Sequence, residues 1–187
     1  MNSRVMMSRI PLVLLVVVLM LSLQNYAQTQ LQKPATLRSL LLHELHTTHT
    51  EADWFVPVKT AVDGLTAEQA SWQPANGGHS AGQLTHHLLF WNRRNLERLT
   101  GKSQANFSGN NDETFEKFDN KLWADTVKQL DEIMTDLEKL VETADEKKLA
   151  AIAPTIGNIC THNAYHVGQI VYVRKLQGSW NPEKGVK

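Results

Sequence analysis

The chain has 187 residues, of which 42% are hydrophobic, and nineteen basic side chains balance nineteen acidic ones. That composition fits one globular domain and singles out no partner class by charge. No basic stripe with interleaved aromatics is present, which argues against nucleic-acid binding, and the only cysteine, Cys160, excludes an intramolecular disulfide.

The N-terminus reads as an export signal. Arg4 and Arg9 precede an apolar run from Ile10 to Leu23, broken only by Pro11 and Ser22, and Gln24-Asn25-Tyr26-Ala27 follows. The run is shorter than the roughly 20 residues of a comfortable membrane span, and the order of charge, apolar core and small residue is that of a secretory signal peptide. Cleavage after Ala27 is expected. It would leave residues 28–187 as one secreted or periplasmic domain with no stable membrane span. Retention as an anchor is the alternative, because Asn25 stands where a small residue is preferred. Removing two of the nineteen basic residues and no acid makes the mature chain mildly acidic.

Four amphipathic segments follow. The first runs from Leu37 through Leu41, Leu45, Trp54, Phe55 and Val58 to Val62, stopping at Gly64, with a bend expected at Pro57, which lacks an N–H and crowds the preceding turn. Thr66 and Gln69 form a capping-box pattern for one short helical turn, and Ser80 and Gln83 repeat it at the head of the second segment, whose Leu84, Leu88 and Trp91 recur at the helical period up to Thr100-Gly101. Residues 101–119 are rich in Asn, Gly, Ser and Asp and make the longest connection, with Phe107, Phe115 and Phe118 as anchors. The third segment spans Lys121 to Thr143 on Trp123, Val127, Leu130, Met134, Leu137 and Val141. Ala144 to Pro154 is expected to turn the chain, with Thr155 capping a fourth helix that ends at Gln177 before Gly178. These segments predict an all-α fold, a four-helix bundle with one long connection between helices two and three.

His162 and His166 lie four residues apart and so share a helix face, interrupting a stripe that Ile159, Ile170 and Val173 mark as inward. On the second helix His87 lies with Leu84, Leu88 and Trp91, whereas His86 points about 100° away. Bundles build metal sites from inward side chains on facing helices, and three neutral imidazoles leave a coordination position open, as catalytic zinc sites do. The bland reading of a single buried histidine, a hydrogen-bonded core residue, weakens once three can converge. His43, His46 and His49 on the first helix read as surface or capping residues, although His49 and Asp53 have the spacing of an acid–base pair. Cys160 points off the histidine face and reads as an inert buried thiol. Tyr165 and Gln169 read either as groups orienting a ligand or as packing residues.

Ser80-Ala81-Gly82-Gln83-Leu84-Thr85-His86-His87-Leu88, together with His162-Asn163-Ala164-Tyr165-His166-Val167-Gly168-Gln169-Ile170, resembles the DinB-like superfamily. Trp54-x-x-Pro57 and the stretch Gly64 to Ala70 are similar to one branch of it. The likeness spans about Leu37 to Trp180. It implies a four-helix bundle that holds one divalent ion (zinc, nickel or iron) on His87, His162 and His166, in a family that contains thiol S-transferases, isomerases and metal-dependent hydrolases. Export would put cytosolic thiol cofactors out of reach, so metal-assisted hydrolysis is the expected activity. A thiol-dependent S-transferase and a non-catalytic extracytoplasmic metal-binding module are the alternatives. The small-molecule substrate is not legible, and a homodimer stays open.

Overall fold

The computed structural model describes residues 35–75, 77–116 and 118–185; the expected signal peptide, residues 1–27, lies outside the described residues. Leu37–Lys187 forms one unit. Its helices are α1 (Leu37–His49), α2 (Val58–Val62), α3 (Ala67–Ser71), α4 (Ala81–Thr100), α5 (Glu113–Glu116), α6 (Trp123–Thr143) and α7 (Glu146–Gln177), with 3₁₀ turns at Asn120–Leu122 and Pro182–Lys184. No strand occurs among the described residues, and no helix there is long and apolar enough to cross a membrane.

The long helices α1, α4, α6 and α7 build the bundle. Helices α1 and α4 each pack on both α6 and α7, so α1 faces α4 and α6 faces α7 across the core. One apolar cluster joins Leu41 and Leu45 to Leu137, Val141, Leu149 and Ile156. A second joins Leu84 and Leu88 to Leu130, Met134, Val167 and Ile170. Side chains such as Leu45, Leu88 and Ile156 are fully buried, and each contributes about 1.5–3 kcal/mol of transfer free energy.

Two sequence expectations need correction. The first segment is broken, not bent. Helix α1 ends at His49, and Pro57 stands at the head of α2 with an extended backbone (φ −69°, ψ 163°). A proline's fixed φ and missing N–H suit a helix start, and it drives the residue before it out of the helical region. Trp54 accordingly sits outside any helix and is 94% exposed.

The second correction concerns the fourth helix, which begins ten residues before the position that a Thr155 cap would give. Asp145 caps it by accepting from the Lys148 backbone N–H, and Pro154 lies inside it. Leu149, Ile152 and Ile156, on either side of the proline, are all buried in the cluster with α1. Their burial outweighs the roughly 3 kcal/mol that an interior proline costs.

Both capping boxes form: Thr66 and Ser80 accept from the backbone N–H groups of Gln69 and Gln83, whose side chains reach back. Gly101 and Gly178 close α4 and α7 in the left-handed conformation, which is easy only for glycine. Gly82 has a different duty. A Cβ there would meet the Phe118 ring and lie 2.8 Å from the Ala70 carbonyl oxygen, so its bare backbone lets α3 and the long connection close over the start of α4. Phe118 and Phe107 are half-buried and Phe115 is buried, as anchors should be.

Candidate metal centre

The capping box at Ser80 sets the register of α4, and that register turns His87 inward, 2% exposed, while His86 is half-buried. From α7, His162 and His166 reach the same place. One ligand atom from each of the three rings lies within 4.8 Å of the others, and His87 Nε2 is 3.1 Å from His162 Nε2. Two nitrogens on a tetrahedral zinc, each about 2.0–2.1 Å from the ion, stand about 3.3 Å apart. The spacing therefore fits a shared cation.

Hydrogen bonds select the ring nitrogen that faces inward. The Thr114 hydroxyl donates to the Asn111 carbonyl at 2.6 Å, so its oxygen accepts from His87 Nδ1–H at 2.5 Å. In the same way Gln169 donates its Nε2–H to Tyr165 Oη at 3.1 Å and accepts from His166 Nδ1–H at 2.7 Å through Oε1. With Nδ1 carrying the proton in both rings, each Nε2 lone pair is left for a metal. A proton on His162 Nε2 can bridge to His87 Nε2, and a divalent ion would replace that bridge.

Electrostatics keep the rings neutral. Burial, followed by the neighbouring His166 and His162, pushes His87 down to about 3. Burial and His162 push His166 down to about 4, and burial lowers His162 as well. Neutral imidazole is the form that binds metal.

The long connection contributes what the sequence did not disclose. Its short helix α5 carries Thr114 and also Phe115, which stacks at 4.0 Å on His87 and at 3.9 Å on His79, both nearly parallel. His86 is a bystander to the cluster but not to the loop, since its Nδ1 lies 3.0 Å from the Thr114 carbonyl oxygen. Thr114 lies 27 positions after His87 and reaches its ring only through folding, and the nearby sequence cue is Phe115, which reads as an anchor.

A cleft of about 490 Å³ opens beside the three rings, walled by Trp91 and Phe115 and floored further along by Asn95, Asn158 and Thr155. Behind it the buried Asn92 donates to Asn163 Oδ1 at 2.9 Å, tying α4 to α7 next to the histidines. Tyr165, 63% exposed, lines the same cleft; because its oxygen accepts from Gln169, its O–H proton remains available to a bound molecule.

The remaining candidates separate from this centre. His43 faces Asp53 at 3.4 Å, and His46 lies 3.9 Å from Glu51. His49 departs from the surface reading and from the pairing with Asp53: it is 3% exposed, with Nδ1 2.7 Å from Glu138 and Nε2 3.0 Å from Asp131. Cys160 is buried, and burial, with Glu44 nearby, pushes its thiol up to about 12, so it is inert as expected.

A family model of the DinB superfamily matches residues 58–170, which include α4, α5, α6 and all three histidines. The chain belongs to the DinB superfamily. No curated protein and no solved structure matches it. The helical bundle and the three-histidine cluster agree with that membership.

Proposed function

We propose that this DinB-superfamily chain holds one divalent ion on His87, His162 and His166 and acts as a metal-dependent hydrolase outside the cytoplasm. The observation that carries the reading is the convergence of three neutral imidazoles at the wall of an open cleft. When bound, the ion supplies Lewis acidity at that wall. The chain's own residues do the rest: Thr114 and Gln169 fix the tautomers of His87 and His166, the Trp91 and Phe115 walls limit water on one side, and Tyr165 offers an O–H donor to a substrate oxygen. The open cleft weighs against a sealed, non-catalytic metal module.

Metal analysis of purified protein after loading with zinc, nickel and iron tests the centre. About one equivalent is expected, and less than about a tenth of an equivalent would sink the reading, because a site of this donor set should fill. Extracytoplasmic action rests on the Arg-flanked apolar run ending at Ala27. Mass spectrometry of the native protein is expected to show a chain starting at Gln28. A retained Met1 with a cytosolic location would overturn export and make thiol-dependent S-transfer the leading activity.

A further inference from the structure

The cleft has a direction and a charge. On α4, His87 and Arg98 are eleven residues apart, which is three turns at about 100° per residue, so both lie on one face with about 16 Å of rise between them. Both line the cleft, as do Trp91 and Asn95 between them. On α7, Thr155, Asn158 and His162 form the opposite row. Residues after His87 on α4 thus accompany residues before His162 on α7, and the two rows bound a groove leading away from the histidines.

Arg98, an exposed side chain, is the lining residue of α4 farthest from the histidines. Its guanidinium donates to Asn95 Oδ1 at 2.8 Å, one turn back toward the histidines, in the direction that helical side chains lean. That brings the cation to about 11 Å from the histidine level, taking one turn of about 5.4 Å from the axial separation. Among the described residues lining the cleft, Arg98 is the only formally charged side chain, and none is acidic. Three neutral rings, a divalent ion and one guanidinium give a field of a single sign.

The geometry points to an elongated substrate with an anionic oxygen group, carboxylate or phosphate, seated on Arg98 about 10 Å from the group presented to the metal. This rests on the metal-centre reading and deepens it by naming the substrate class. Arg98 is a specificity-determining residue: it touches the far end of the ligand and takes no part in holding the ion. The apolar Trp91 and Ile159 side chains would flank the ligand's midsection, while Asn95 holds the guanidinium in place.

Zinc-loaded protein titrated by calorimetry with two hydroxamates tests this. Octanohydroxamic acid carries a metal-binding head on a neutral chain, and suberic monohydroxamic acid carries the same head with a terminal carboxylate at nearly the same length. The acid should bind about tenfold more tightly or better, as a charge-assisted contact to a guanidinium predicts. Arg98→Gln should erase that preference and leave zinc stoichiometry and octanohydroxamate affinity unchanged, and Arg98→Lys should retain part of it. Equal affinity for the two compounds, or a preference surviving in Arg98→Gln, overturns the inference. The matching phosphonate separates the sources: a larger gain for phosphonate identifies a phosphate ester, and a larger gain for carboxylate identifies a carboxylic acid. Zinc stoichiometry reports on the metal centre independently. Should zinc not bind, octanedioate titrated into the metal-free protein still reads the Arg98 end, where Arg98-dependent heat supports the anion seat and its absence overturns it.

Discussion

Two histidine clusters sit in this bundle and differ in what surrounds the rings. At the centre formed by His87, His162 and His166, the outer nitrogens of His87 and His166 are satisfied by neutral oxygens, from Thr114 and Gln169, and no carboxylate lines the adjoining cleft among the described residues. At His49 both ring nitrogens face carboxylates, Glu138 at 2.7 Å and Asp131 at 3.0 Å, with Lys59 3.4 Å from Asp131. Each His49 ring nitrogen is thus occupied by a carboxylate of α6, and neither is left to face an ion. Burial alone therefore does not make a histidine a ligand; the chemistry of its partners decides between a metal platform and a clamp joining α1 to α6.

The comparison is broken most directly by removing rings. His87→Ala, His162→Ala or His166→Ala should each weaken metal affinity by well over the roughly 100-fold that marks the upper end of effects from orienting partners, measured by competition with a chromogenic chelator. His86→Ala, which only loosens the Thr114 segment, should stay within about tenfold. Loss of binding in His86→Ala with retention in His87→Ala would mean that the orienting loop, not the ring register, selects the ligand. Thr114→Val keeps the shape of the side chain and removes the oxygen that accepts from His87. Metal affinity should fall about 10- to 100-fold with little change in the unfolding midpoint, whereas an unchanged affinity would show that packing by Phe115 alone positions His87.

How far the sequence carried this picture depends on the range of the interactions. The bundle, the two capping boxes and the convergence of three histidines were legible because each rests on helical period or on residues three or four apart. The start of α7 departs from the sequence expectation because Pro154 is a strong local signal, whereas the burial of Leu149, Ile152 and Ile156 that overrides it is tertiary. The partners of His49 lie 82 and 89 residues away, and no local pattern announces them. Thr114 was hidden for the same reason: it sits in a polar connection, 27 residues after the ring that it orients.

Glu138→Gln sharpens the contrast from the other side. Glu138 is four-fifths buried, with a side-chain exposure of 19%, and the variant replaces its charge where His49 donates at 2.7 Å. Weakening a charged, largely buried hydrogen bond should lower unfolding free energy by about 1–3 kcal/mol, read from urea denaturation. Metal stoichiometry should not change. If metal binding fell with stability, the two clusters would be one cooperative unit and the division drawn between them would fail.

The smallest effect expected is in the pH dependence of metal affinity. Three ordinary imidazoles with pKa near 6.5 would each lose about tenfold to proton competition at pH 5.5, about a thousandfold together. Here His87 lies at about 3 and His166 at about 4, both depressed first by burial, so neither competes at that pH. His162 is also lowered by burial, which keeps its share under about tenfold. Affinity measured in a buffer series from pH 7.5 to 5.5 should thus fall by less than about tenfold in total. The same depression acts on folding in the metal-free protein: the unfolded chain takes up protons below about 6.5 that the folded rings refuse, so stability present above that pH is lost as pH falls toward about 4 and then about 3. A thousandfold loss of affinity by pH 5.5, with metal-free stability flat over the same range, would mean that the rings titrate as exposed histidines and that burial does not hold this cluster neutral.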